Sequence, residues 1–301
     1  MADSTWWRCW TLGQGEITSS AIALVRAHPG FHEAMRYSLQ GSLRFSDGEP
    51  MLCSLMVDNG GFLMAGTALY LDADGGLTHR RLQEVAGIPG ILSAGRISAL
   101  LLRMQMIDFV QAPSQHMPGT PKIYRPTARL TAAFRKRARL ELEAVQLMSP
   151  EMDELLARFD EPDGLRRLMR LAGHMIHVTS HPRPELASIL AIGSRRAGIL
   201  LLYALLDATA DAAGHFPATG PVRVSISALA KRFRLSRTHI RRVLREAEAT
   251  GLFTSGAAEG EGEVQPALLE AIEIMYAGVF VGVANAAYLA LGDQADAEVA
   301  A

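Results

Sequence analysis

The chain has 301 residues, 49% hydrophobic and 20% charged, which exceeds one ordinary core and suits two domains of about 100 to 150 residues each. That apolar mass excludes wholesale disorder and a fibrous repeat. Two cysteines, Cys9 and Cys53, cannot build a disulfide framework and have no Cys or His neighbours at zinc-finger spacing, so a reducing compartment and no structural zinc are expected. The formal net charge is −1, yet residues 79–139 carry +9, residues 222–251 carry +6 and the remainder carries −16.

The opening MADSTWWRCW places an acid before any base and holds no apolar run of signal-peptide length, so a cytoplasmic location is expected. Trp6, Trp7 and Trp10 read as an apolar latch for the amino terminus, and a helical lead follows over about residues 16–40. FLMAGTALYLDAD then reads as an apolar helix. In LTHRRLQEVAGIPGILSAGRISALLLRMQMIDFV, residues 77–110, two more helices follow, the second starting at Ser93 with Ile97, Leu100, Leu101 and Met104 on one face. VQAPSQHMPGTPKIYRPTARL has a Pro/Gly tip between two short strands.

Residues 131–178 are expected to form a helical connector, on which Glu141 and Glu143 are paired carboxylates with nothing in the sequence to organise them. His174, His177 and His181 stand at HxxHxxxH, but Pro182 ends the helix and no carboxylate or cysteine joins them. A polar helix end is the expected role, and no metal is assigned.

SRRAGILLLYALLDATADAAG, from Ser194, reads as one long apolar helix. VRVSISALAKRFRLSRTHIRRVLREAEATGLFTS, residues 222–255, then gives a short strand, a two-turn helix with Ser227 as N-cap, a tight turn and a second helix capped by Ser236. In that second helix Ile240, Val243, Leu244 and Ala247 form one buried stripe. Gly251 closes it as a left-handed cap, Leu252 and Phe253 begin a strand, and GAAEGEGE is a hairpin tip before Val264. Residues 274–291, IMYAGVFVGVANAAYLAL, reach minimum spanning length, but Ala, Gly and Asn285 dilute them and no basic flank follows. A helix buried in the protein or in a dimer interface is expected, with no membrane partner.

The two segments read as copies. At a constant offset of 143, Ser93 falls under Ser236, and Ile97, Leu100, Leu101, Met104 and Phe109 fall under Ile240, Val243, Leu244, Ala247 and Leu252. One extra residue within AGIPGIL lengthens the first inter-helix turn, after which Val85 and Ala86 match Leu229 and Ala230. The order helix, strand, helix, turn, helix, hairpin is that of a winged helix-turn-helix. The expected fold is therefore mainly α, with two winged helix-turn-helix domains that carry small β-hairpin wings and are joined by helices. Its expected parts are an N-terminal helical lead (1–45), a first winged helix (46–130), a helical connector (131–184), a second winged helix (185–265) and a C-terminal helix and tail (266–301).

On LAKRFRLSRTHIRRVLREAEATGLF, with small Ala230 and Leu235 where two helices cross, the region from about 194 to 265 resembles the MarR-like winged-helix transcription regulators. The resemblance implies DNA binding under the control of a small molecule or partner, for which no sensing site is identified.

In the second copy Arg237, Thr238, Arg241, Arg242 and Arg245 share the face opposite Ile240 and Val243, where Arg can pair with guanine edges and phosphates. Ser236 starts that helix, and His239 is expected beside a phosphate. The first copy has Ala94, Gly95, Ser98, Ala99 and Leu102 at the matching places and so lacks long donors. Arg96 and Arg103 flank that bare face, while Lys122 and Arg125 lie on a wing that can follow phosphates or enter the minor groove. The second wing instead carries Glu259, Glu261 and Glu263, which phosphates repel.

These features point to a sequence-specific DNA-binding transcription regulator, its second copy reading bases and its first gripping backbone. The partner is double-stranded DNA, with a small-molecule effector and a homodimer through 274–291 as further options, and no cofactor is called for. Two alternatives stand beside it: a plasmid-type replication initiator, and an adaptor that binds proteins through the bare face of the first copy. Phosphate loops, GxGxxG, GxSxG and HExxH are absent, and GQGE at 13–16 is too short to count, so no enzyme is expected. Thirteen methionines read as core filling before they read as an effector pocket.

Overall fold

The computed structural model describes residues 6–9, 17–48, 55, 58–87, 92–113, 119–178, 183–209, 216, 219–258 and 260–292, without the side chains of 174–178. Trp10, Cys53, Glu259 and the side chains of His174, His177 and His181 lie outside the described residues. The chain is mainly helical, with thirteen α-helices and two small antiparallel sheets among the described residues.

A first run of elements comprises α1 (Ser19–Arg26), α2 (Phe31–Gly48), α3 (Asn59–Ala73), β1 (Leu77–Thr78), α4 (His79–Ala86), α5 (Ala94–Met106), β2 (Val110–Gln111) and β3 (Ile123–Pro126). Then come α6 (Ala128–Gln146), α7 (Met152–Phe159), α8 (Gly164–Val178) and α9 (Ala187–Gly193). The last run is α10 (Gly198–Asp207), β4 (Gly220–Arg223), α11 (Ile226–Phe233), α12 (Arg237–Ala249), β5 (Phe253–Ser255), β6 (Glu261–Val264) and α13 (Pro266–Leu291).

One local plan occurs twice. The sheets are ordered β1-β3-β2 and β4-β6-β5, so in each the last strand lies between the other two. Leu77 pairs with Tyr124 and Val110 with Pro126 in one, while Val264 pairs with both Gly220 and Phe253 in the other. Ser93 Oγ accepts from Arg96 N at 3.3 Å to start α5, and Ser236 Oγ accepts from His239 N at 3.1 Å to start α12. Beyond each helix Phe109 N donates to Met104 O at 2.8 Å and Leu252 N to Ala247 O at 2.9 Å. The plan closes when Thr127 N donates to Phe109 O and Gln265 N to Leu252 O, releasing α6 and α13.

The N-cap of α11 is Ser225, whose Oγ accepts from Ala228 N at 3.1 Å, and not Ser227. Ile226 is buried as the first helical residue, which draws Ser227 into the exposed first turn.

The helices around the two units pack with exchanged roles. The first helix of the first unit, α3, lies on α8, which leads towards the second unit; the first helix of the second unit, α10, lies on α2, which leads towards the first. Likewise α2 packs on α6 and α8 on α13, while α6 and α13 pack on each other. Swapping α2 with α8, α3 with α10 and α6 with α13 leaves these five contacts unchanged, so the two units have matching helical neighbours. Glycine makes the closest approaches feasible: a Cβ on Gly173 would sit 2.0 Å from Tyr70 Cδ2, and one on Gly41 would sit 2.2 Å from Leu140 Cδ1.

Helix α13 is long and apolar enough to cross a membrane by length and composition, and 61% of its most apolar window is buried against the rest of the chain. Its partners are α1, α2, α6, α7, α8 and α9. Trp6 and Trp7 are buried beside it, and Asn285 Nδ2 donates to Trp7 O at 2.7 Å, so a buried polar residue of this apolar helix holds the amino-terminal turn.

Glu141 and Glu143 are organised after all, by partners about a hundred residues away. Ser38 Oγ donates to both carboxylate oxygens of Glu141 at 2.9 and 2.8 Å, and Arg137 pairs with the same group. Tyr37 Oη donates to Glu143 at 2.7 Å and Arg139 Nε at 2.8 Å. These bonds form a polar seam between α2 and α6, flanked by Tyr203, whose hydroxyl burial pushes up to about 12.

Candidate nucleic-acid interface

Helix α12 is amphipathic in the strict sense. Ile240, Val243, Leu244 and Ala247 are buried, and Arg237, Thr238, Arg241, Arg242 and Arg245 are all exposed. The two acids on the helix are turned to its scaffold. Glu246 accepts from Arg195 Nε at 2.9 Å, and Glu248 accepts from Ser255 N and Oγ, both at 3.1 Å. Among the described residues no carboxylate lies within ion-pair distance of Arg237, Arg242 or Arg245. Arg237, Arg242 and Arg245 therefore keep their positive charge on the outer face, and Arg237, Arg241 and Arg245 follow one another at steps of four.

His239 is half-buried and bonded on both sides. Arg242 Nη2 lies 2.9 Å from Nδ1, and Nε2 lies 3.0 Å from the carbonyl oxygen of Arg196. A guanidinium can only donate and a carbonyl can only accept, so Nδ1 is the acceptor and Nε2 carries the hydrogen. The ring is thus placed as a neutral bridge from Arg242 to the turn that precedes α10.

That turn was not legible in the sequence, where the stretch from Ser194 reads as one continuous helix. Helix α10 begins only at Gly198, because Ala197 is left-handed at φ 55° and the chain bends by 106° between the Pro184–Gly193 and Gly198–Asp207 segments. A Cβ on Gly198 would sit 1.8 Å from Ile192 O, so glycine is what lets the bend close. The bend brings Arg195 and Arg196 beside α12, although neither belongs to a sequence motif. Their only signal in the sequence is a pair of arginines followed by Ala197 and Gly198.

Comparison of the chain with protein-family models, with curated proteins and with solved structures finds no match. The geometry itself is then what a functional reading has to work from.

In the first unit the outer face of α5 is built of Ala94, Gly95, Ser98, Ala99 and Leu102, all exposed, with Leu102 at 60% and Met106 at 79%. Arg96 pairs with Asp58 at 2.8 Å, and Asp58 also caps α3 through Gly61 N at 2.9 Å. Ser98 Oγ donates to Ala94 O at 3.1 Å and accepts from His79 Nε2 at 2.8 Å. Both residues thus serve the unit's own structure. Arg103, on α5, and Lys122 and Arg125, just before and within β3, are exposed.

The β5–β6 hairpin of the second unit is acidic where described: Glu261 lies 3.7 Å from Arg223, and Glu263 is exposed. Among the described residues no group of three or more His, Cys, Asp or Glu side chains is placed to hold a metal ion.

Proposed function

We propose that this protein is a cytoplasmic, sequence-specific DNA-binding transcription regulator of the MarR-like kind, built on tandem winged helices. The observation that carries the reading is the outward face of α12, where Arg237, Arg241, Arg242 and Arg245 are exposed and the helix's own acids are turned elsewhere. A helix of thirteen residues, about 20 Å long, fits a major groove and can offer such donors to guanine edges and phosphates.

The repeated strand order and the exchanged helix packing support a division of labour. Many such regulators present two reading helices by dimerising. Here one chain supplies both units, so a single molecule covers an asymmetric site. The second unit reads bases through α12, and the first holds phosphates through Lys122 and Arg125 at its wing.

Binding of a random-sequence duplex across a salt series tests the reading, followed by selection of preferred sequences from a random pool. The full chain binds, its affinity falls steeply with salt, and selection returns a sequence with one specified half. Arg241→Ala then reduces binding to the selected site far more than to random duplex, whereas Lys122→Ala reduces both equally. A chain that shows no salt-dependent binding to either duplex sinks the reading. That result instead favours a protein adaptor, for which Leu102 and Met106 on the bare face of α5 are the specific observation.

A further inference from the structure

The bend between α9 and α10 carries two neighbouring arginines with opposite fates. Arg195 is committed to Glu246 on α12 at 2.9 Å. Arg196 is exposed, and among the described residues no carboxylate pairs with it. Its carbonyl oxygen is 3.0 Å from His239 Nε2, which puts this residue beside the N-terminal turn of α12.

We infer that Arg196 is a phosphate-contacting residue that extends the DNA interface past α12, and that His239 positions Arg242 by bridging it to the same bend. The inference rests on the reading that α12 enters the major groove. The groove is walled by phosphates on both sides, so a cation carried beside the entering end of the helix meets the backbone as the helix seats.

The bend holds the backbone that carries this cation. Ser194 Oγ donates to Ala191 O at 2.6 Å and Gly198 N donates to Arg195 O at 3.0 Å. Ala197 is left-handed and Gly198 leaves no room for a side chain. A backbone fixed in this way loses little freedom on binding, which favours affinity.

The first unit shows the same tie with its charge cancelled. Arg96 stands 143 residues before His239 and also joins the first turn of its helix to the start of the unit's first helix, by pairing with Asp58 at 2.8 Å. There the cation is neutralised by an acid. In the second unit the tie is made by a neutral ring to a carbonyl, and both Arg196 and Arg242 keep their charge for an outside partner.

The test measures binding of the full chain to its selected duplex and to a random duplex of equal length, each over a salt series. Arg196→Ala is expected to weaken both by a similar factor of at least three and to reduce the slope of log affinity against log salt by about one unit. His239→Leu is expected to shrink the affinity ratio between selected and random duplex, because Arg242 loses its hold. His239→Gln keeps that ratio, since its amide can accept from Arg242 and donate to the Arg196 carbonyl.

The inference is overturned if Arg196→Ala leaves affinity and slope unchanged while Arg241→Ala weakens the selected site, a result under which α12 still reads DNA. It is overturned equally if His239→Gln and His239→Leu behave alike. If neither Arg196→Ala nor Arg241→Ala has any effect on either duplex, the reading of α12 falls with it. Thermal melting of each variant separates loss of binding from loss of fold.

Discussion

Asp108 and Gly251 stand 143 residues apart and hold the same left-handed backbone, φ 55° and 73°, each two residues beyond a thirteen-residue helix. Each turns the chain so that the next residue, Phe109 or Leu252, enters the core. Nothing lies within 4 Å of a Cβ added at Gly251, so a substitution there meets only the backbone penalty. Gly251→Ala is expected to cost about 1 kcal/mol, and Gly251→Asn less, because Asn tolerates this conformation. Urea unfolding of the two variants reads the difference, and equal stability would mean that the turn is not left-handed.

The exchange of helices between the units gives a second, larger effect. Gly173 on α8 faces the ring of Tyr70 on α3 so closely that a methyl group would overlap it at 2.0 Å. Tyr70 is buried and its ring has little room to retreat. Gly173→Ala is expected to destabilise by about 1 to 3 kcal/mol through overpacking. Gly95→Ala, on the exposed face of α5 with nothing within 4 Å, is expected to stabilise by about 0.5 to 1 kcal/mol. The pair is measured in one unfolding series, and a Gly173→Ala protein as stable as the parent would contradict the packing of α3 on α8.

Much of the repeated plan is local and was therefore legible. Ser93 and Ser236 cap at the expected places, and the stripe ending in Phe109 or Leu252 is buried in both units, apart from half-buried Leu100. Helix α13 spans Pro266–Leu291, as the apolar run suggested. What escaped was long-range or stereochemical. Helix α3 is apolar all round, so its periodicity cannot say which face meets α8. Ala197 is left-handed without being glycine, and no residue type announces that. Glu141 looked idle because Ser38 is 103 residues away, and Arg96 looked free for phosphate because Asp58 is 38 residues away.

Acid should loosen the clasp between α1, α2 and α13. Glu273 accepts from Arg26 Nε at 3.1 Å and lies 2.9 Å from His32 Nε2. Burial pushes its carboxyl up, but the bonds from His32 and Arg26 outweigh that and hold it below its ordinary value of 4.5. A carboxyl depressed in the folded state stabilises above its unfolded value, and the gain is lost as pH falls through the folded one. Glu273→Gln is expected to cost about 1 kcal/mol at pH 7, less than a fully buried charged hydrogen bond contributes, because Arg26 and His32 are partly exposed. The gap between the two proteins should narrow steadily below pH 4.5. A gap that stays constant down to acid unfolding would show that the carboxylate charge contributes nothing.

Leu102 in α5 occupies the place of Arg245 in α12, and Ser98 that of Arg241. The two helices share their length, their cap and the turn that ends them, so the backbone needed to present a cation is already in place in the first unit. Leu102→Arg removes an exposed apolar side chain and costs no core packing. If the first unit lies along the duplex, Leu102→Arg raises affinity for random-sequence DNA, and the slope of log affinity against log salt steepens by about one unit. Adding Ser98→Arg steepens it by about one more, at the expense of the bond from His79. Anisotropy titrations at three or more salt concentrations read both quantities. Should neither arginine alter them while Lys122→Ala still weakens binding, α5 points away from the duplex and the wing alone carries the first unit's contact; should Lys122→Ala also be silent, that unit does not touch DNA and its apolar face serves a protein.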